Sequence, residues 1–163
     1  MHYTSLYHLA YRYLANHHLT EDVLSISFTK AFRKIKKFRC QGKGSFKKWL
    51  NTIVINESIR LLQKNHKTAI AEITYDIIPE QTDNQNNEVE LDVEMVYLFL
   101  EEIPTLQRLV FNLFVIEGYS YKEIATMIGI TEANSKTLLS RAKSTIRHKL
   151  TNQHKHEEEN RSK

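Results

Sequence analysis

The stretch GYSYKEIATMIGITEANSKTLLSRAKSTIRHKL, residues 118–150, leaves little freedom in how it can fold. Ser120 followed three residues later by Glu123 is a capping box, in which the hydroxyl takes the Glu123 amide and the carboxylate reaches back to the Ser120 amide. Ile124, Ala125 and Ile128 then share one side of a short helix. Gly129 supplies the left-handed backbone that ends it, and Ile130 packs the turn. Thr131 caps a second, longer helix whose inward positions are Leu139, Ala142 and Ile146. A short helix, a turn with glycine and a longer helix with outward cations is the arrangement of a DNA-binding helix-turn-helix. In such a unit the second helix enters the major groove by its first turns. Asn134, Lys136, Thr137, Ser140 and Arg141 are therefore the candidates to reach base edges or phosphates, with Lys143 and Arg147 farther along on the phosphates. Glu132 lies in the positive first turn and favours the helix dipole.

The rest of the chain has helical periodicity too, and only four glycines and two prolines to interrupt it. Leu6, Leu9, Ala10, Tyr13 and Leu14 form one apolar stripe. After a break at NHHLTED, Thr20 is the expected N-cap of a second helix, with Glu21 and Asp22 in its first turn. That helix carries the stripe Leu24, Phe28, Ala31 and Ile35. Gly42 and Gly44 mark a loop, and Ser45 is expected to cap a third helix that buries Phe46, Leu50, Ile53, Val54 and one of Leu61 and Leu62, with Trp49 also expected in the core and a wedge into a nucleic-acid duplex the alternative for Phe46 and Trp49. Residues 68–92 contain Pro79 and no sustained period, which reads as a linker. Helical spacing returns with Val96, Phe99, Leu100 and Ile103, breaks at Pro104, and resumes with Leu106, Leu109, Val110, Leu113 and Phe114. The tail, TNQHKHEEENRSK, is charged and expected to be disordered, with His154 and His156 solvated. The fold class is therefore all-α: two small helical domains, 1–67 and 93–150, joined by an acidic linker at 68–92, with a tail at 151–163.

Charge is unevenly distributed. Residues 28–67 hold twelve Lys or Arg against the single acid Glu57, whereas 68–102 hold ten acids and no Lys or Arg; 121–150 are basic again, six against two. Like charges repel unless a partner neutralises them, so this layout points to two anion-binding modules separated by an acidic connector. The densest stretch, KIKKFRCQGKGSFKKWL (34–50), places Lys36, Lys37, Arg39, Lys43, Lys47 and Lys48 around three large aromatics.

Other function classes fall away. The acids cluster in the linker, and no His, Cys, Asp or Glu constellation has metal-binding or catalytic spacing, so neither an enzyme nor a bound cofactor is expected. Cys40 is the single cysteine, which excludes an internal disulfide framework and fits a reducing cytoplasm. No run of about 18 apolar residues could span a bilayer, and MHYTSLYHLAYRYL lacks the features of a signal peptide.

IPTLQRLVFNLFVIEGYSYKEIATMIGITEANSKTLLSRAK (103–143) resembles region four of the bacterial RNA polymerase sigma factors of the extracytoplasmic-function group. LTEDVLSISFTKAFRKIKKF together with GSFKKWLNTIVINESIRLLQK, within 19–64, resembles their region two. The resemblance implies a division of labour. The N-terminal domain melts the −10 promoter element and holds the parted strand; the C-terminal domain reads the −35 element as duplex. It implies that Lys36, Lys37, Arg39, Lys43, Lys47 and Lys48 track phosphates while the loop 39–45 and Asn56 line a pocket for a flipped base. It further implies that Asp22, Ser25, Ile26 and Thr29 face the clamp helices of the largest subunit of core polymerase, and that promoter DNA and, for many members, an anti-sigma protein are partners. Two departures stand out. Ser25 and Ile26 replace a usual Gln and acid, and Ala133-Asn134-Ser135 and Leu138 replace a usual Gly-Thr-Val and Arg. The runner-up is a self-sufficient helix-turn-helix regulator, which would need a dimer and two half-sites.

Overall fold

The computed structural model describes residues 3–65 and 102–161, which form two separate compact units. Among the described residues there is no strand. The acidic linker and the helical stripe Val96, Phe99 and Leu100 expected from the sequence lie outside the described residues.

The first unit has three helices, α1 (Tyr3–Leu14), α2 (His17–Lys34) and α3 (Ser45–Asn65), each packed on the other two. The α1 stripe is buried as its spacing requires: Leu6, Leu9, Ala10, Tyr13 and Leu14 all enter the core. A tight turn through Ala15, at φ 45°, leads directly into α2. Asn16, rather than Thr20, is the N-cap, and its side chain accepts from the Leu19 amide at 3.0 Å. Thr20 is instead buried within the helix, its hydroxyl donating back to the Asn16 carbonyl at 2.7 Å. Glu21 and Asp22 consequently sit past the first turn. Val23, Leu24, Ser27 and Ala31 face inward. Ile35 does not, because the chain tightens into a 3-10 turn at Ile35–Lys37 and loses the α-helical phase that put it on the stripe; it is 43% exposed.

Helix α3 buries Leu50, Val54, Ile55, Ile59 and Leu62, with Ile53 and Leu61 half-buried. Ser45 is the first residue of this helix and not its cap. Its hydroxyl accepts from the Gln41 amide at 3.2 Å and donates to Cys40 Sγ at 3.6 Å, closing the loop, while Gly44 accepts the Lys48 amide at 3.1 Å. Lys30 of α2 reaches Glu57 of α3 at 2.5 Å.

The second unit comprises α4 (Thr105–Phe111), a π-helical turn (Asn112–Ile116), α5 (Tyr121–Ile128) and α6 (Glu132–Arg161). Ile103, Leu106, Leu109, Val110, Phe111 and Leu113 meet Ile124, Ile128, Leu138, Leu139, Ala142 and Ile146 in the core. The expected tail is not a coil: α6 runs through to Arg161. Nothing between Gly129 and Arg161 is a glycine or proline, and residues 151–161 are rich in good helix formers, so no local signal stops the helix.

Candidate nucleic-acid interface

The helix-turn-helix is built as its sequence dictates. Ser120 Oγ accepts from the Glu123 amide at 3.3 Å, and the Glu123 carboxylate accepts the Ser120 amide at 2.8 Å and its hydroxyl at 2.7 Å. These bonds hold the Glu123 carboxyl below its ordinary value of 4.5. Gly129, at φ 79°, is left-handed, and its amide and that of Ile130 both bond the Ala125 carbonyl, which turns the chain sharply into α6. Thr131 Oγ1 accepts from the Asn134 amide at 3.1 Å and caps α6.

With Ser135, Leu138, Leu139, Ala142 and Ile146 buried, α6 turns Ala133, Thr137, Ser140 and Ser144 outward, flanked by Asn134 and Arg141 on one side and by Lys136 and Lys143 on the other. The six candidates on α6 therefore surround one solvent-facing strip, with Lys136 and Lys143 exposed and the other four half-buried. Thr137 spends its hydroxyl proton on the Ala133 carbonyl at 3.1 Å, so outward it offers a methyl group and lone pairs. Lys136 is not directed along the strip. Its ammonium meets Glu132 at 3.2 Å and lies 5.6 Å over the ring of Tyr121, on α5. Leu138 and Ser135 are both buried.

In the first unit, Lys36, Lys37, Arg39, Lys43, Lys47 and Lys48 are all exposed and, among the described residues, none of them meets a carboxylate. They surround a cluster of three rings: Phe38–Trp49 centroids are 5.0 Å apart, Phe38–Phe46 5.5 Å and Phe46–Trp49 5.7 Å. The expectation that Phe46 belongs to the core is corrected by its 40% exposure; Trp49 and Phe38 are half-buried. The reason is positional: the three rings pack mainly on one another, at the start of α3. Asn56 is exposed on α3 two turns beyond Trp49. The thiol of Cys40, in the same loop, is lowered by the Gly42 backbone and then by the Ser45 hydroxyl.

Asp22, Ser25, Ile26 and Thr29 are exposed on one broad face of α2, Ile26 by 46%. Sequence reasoning missed Phe32, 77% exposed on the same helix. The signal was available, since Phe32 lies three residues after Thr29 and seven after Ser25 and so follows the outward face rather than the stripe.

Two basic helical units in this order have counterparts among known proteins. The family model described as Sigma-70 region 2 matches residues 1–68, and that described as Sigma-70, region 4 matches residues 94–146. This chain belongs to the sigma-70 family, in its extracytoplasmic-function group. The sigma factor is 26% identical over 153 residues to the ECF RNA polymerase sigma factor SigE of Mycolicibacterium smegmatis, covering 90% of this chain and 57% of that one. It is 26% identical over 132 residues to SigM of Bacillus subtilis, covering 80% and 78%. To the sigma-E factor of Haemophilus influenzae it is 27% identical over 145 residues, covering 79% and 73%. The chain thus spans little more than half the length of the first of these relatives. Its fold is similar to that of the sigma factor RpoE of Bartonella quintana, solved in complex with the anti-sigma factor NepR, with a TM-score of 0.53, 23% identity and 91% of each chain covered.

Proposed function

We propose that this sigma factor directs core RNA polymerase to promoters, its first unit opening and holding the −10 element and its second reading the −35 element as duplex. The observation that carries the reading is the pairing of an unneutralised cationic patch around a cluster of aromatic rings, of which Phe46 is exposed, with a capped helix-turn-helix, in one chain and in the family's order. In the first unit Lys36, Lys37, Arg39, Lys43, Lys47 and Lys48 take the phosphates, and the loop 39–45 with Asn56 receives an extruded base. Stacking a base on an aromatic ring is worth roughly 1–3 kcal/mol. That is comparable with the few kcal/mol needed to unstack it. Phe46 presents enough ring for such a contact; Trp49 mainly supports it.

In the second unit the strip bounded by Asn134, Thr137, Ser140 and Arg141 meets base edges, and Lys143 and Arg147 meet the backbone. Asp22, Ser25, Ile26 and Thr29, joined by Phe32, dock on the clamp helices of the polymerase. The factor is a non-catalytic specificity subunit; the polymerase supplies the chemistry, in the cytoplasm. The Bartonella protein is solved with an anti-sigma factor, and a partner of that kind for this chain belongs to the same reading.

The test is reconstitution. Core polymerase with the full chain is expected to select promoter sequences from a random duplex pool and to initiate transcription on them, whereas the chain without core is expected to bind the same duplexes weakly. Promoter-specific binding as a dimer without core would instead establish the self-sufficient regulator. Transcription that does not change on adding the chain refutes the proposal.

A further inference from the structure

Lys136, one of the six sequence candidates on α6, is a cation that the structure shows already engaged. Glu132, four residues earlier, is in the orientation that most favours an i,i+4 pair on a helix, and its carboxylate lies 3.2 Å from the ammonium. The same ammonium stands 5.6 Å above the Tyr121 ring, within cation–π range. That ring is itself held, since it stacks on Phe114 at a centroid distance of 4.4 Å. A row Phe114–Tyr121–Lys136–Glu132 therefore runs from the π-helical turn, across α5, to the first turn of α6. It draws Lys136 towards α5 and away from the strip of Ala133, Thr137 and Ser140.

We infer that Lys136 does not read bases: it is a positioning residue at the junction of the two helices, and Glu132 is an internal competitor that occupies its ammonium in place of a DNA phosphate. The inference rests on the proposed reading of the −35 element by this unit. Its consequence is a built-in limit on non-specific affinity. A lysine whose charge is already met by a carboxylate releases less counterion on binding DNA, so the pair lowers the salt-dependent, sequence-independent component of binding. The neutral groups of the strip, with Arg141, are left to supply discrimination. Tyr121 also acquires a role beyond packing, because it sets where the ammonium sits.

The experiment uses the full chain bound to core polymerase and a promoter duplex selected by that holoenzyme from a random pool. Selection by the wild-type chain tests the parent reading by itself. With that duplex in hand, Lys136→Ala, Glu132→Gln, the double variant and Tyr121→Leu are compared by affinity, salt slope and base preference. Glu132→Gln is expected to tighten binding by up to about eightfold near 0.1 M salt and to steepen the slope by about 0.9, the effect of one extra phosphate contact. Lys136→Ala alone is expected to change affinity little and evenly across sequences, and in the Glu132→Gln background to abolish the gain. Tyr121→Leu is expected to move the slope in the direction of Glu132→Gln. Independently of DNA, the Lys136 side-chain methylene protons in the full chain are expected to show a ring-current shift that Tyr121→Leu removes. Loss of at least about fivefold discrimination at one base pair in Lys136→Ala would make it a base reader and overturn the inference. So would a Glu132→Gln gain that persists without Lys136, which would reduce Glu132 to simple repulsion.

Discussion

Replacing Ser135 by Ala should make the second unit more stable. Ser135 is 0% exposed on the inner face of α6, and its Oγ has no hydrogen-bond partner. Serines inside helices usually escape this penalty by donating to the carbonyl four residues back. Ser58 on α3 does so, bonding the Val54 carbonyl at 2.9 Å, and Thr20 does so with Asn16. Ser135 does not, so the hydroxyl left water without a replacement partner. Such an orphan costs about 1–3 kcal/mol, and alanine adds up to about 0.5 kcal/mol of helix propensity. Against these stands the lost contact of one oxygen atom, a few tenths of a kcal/mol in total.

The net expectation is a gain of about 1–2 kcal/mol. For a unit of this size that corresponds to roughly 4–8 °C in Tm per kcal/mol, read as a shift of its own transition in calorimetry of the full chain. Ser27→Ala, at the other buried serine whose Oγ is unpaired, should behave likewise in the first unit. Ser58→Ala is the control and should be neutral or destabilising by up to about 1 kcal/mol, because a made bond is lost. If Ser135→Ala destabilised, or if all three alanines behaved alike, partner satisfaction would not be what sets these costs.

Other perturbations probe other parts of the chain. Glu57→Gln, which removes the half-buried partner of Lys30, should lower first-unit stability by about 1–2 kcal/mol in denaturant titrations, less than for a fully buried pair because Lys30 keeps some solvent. The Glu123 carboxyl is lowered in the folded state, so its contribution is fully present above its unfolded value and is lost as pH falls through the folded one. Thermal melts of Glu123→Gln should therefore differ most from wild type near neutral pH and converge with it in acid. Cys40, lowered from 9.0, should alkylate faster at neutral pH than an unperturbed thiol, and Ser45→Ala should slow it by removing the second cause. Phe32→Ser should weaken association with core polymerase in co-sedimentation while leaving the melting temperature unchanged, since the ring is 77% exposed; a drop in stability instead would show that the ring packs.

Most of the helical architecture was legible because its signals are local. The capping box, Gly129 and the stripe on α1 each depend on residues within one or two turns. The misreadings have a common form, in which a local signal competed with a neighbour at short range. Thr20 and Asn16 both offer N-cap oxygens, and the turn at Ala15 decided for Asn16 by ending α1 only two residues earlier. Ile35 lies on a helical stripe only if the helix stays α, and it changes to 3-10 after Lys34. At residues 151–161 composition suggested disorder, yet a helix already nucleated at Thr131 needs only one more hydrogen bond per residue to continue.

What sequence could not reveal is which cations are free. Counting Lys and Arg treats Lys30, Lys47, Lys136 and Lys149 alike, but three of them are paired, with Glu57, Glu132 and Glu102, and only Lys47 is not. Unpaired cations cluster around the loop 39–45, where a parted strand is proposed to lie, while in the second unit Lys136 and Lys149 each meet a carboxylate. If salt dependence follows the unpaired charges, most of it belongs to the first unit. Raising ionic strength should then weaken the opened complex more steeply than contact with the −35 duplex, an asymmetry in the same direction as the twelve-against-six count of basic residues in 28–67 and 121–150.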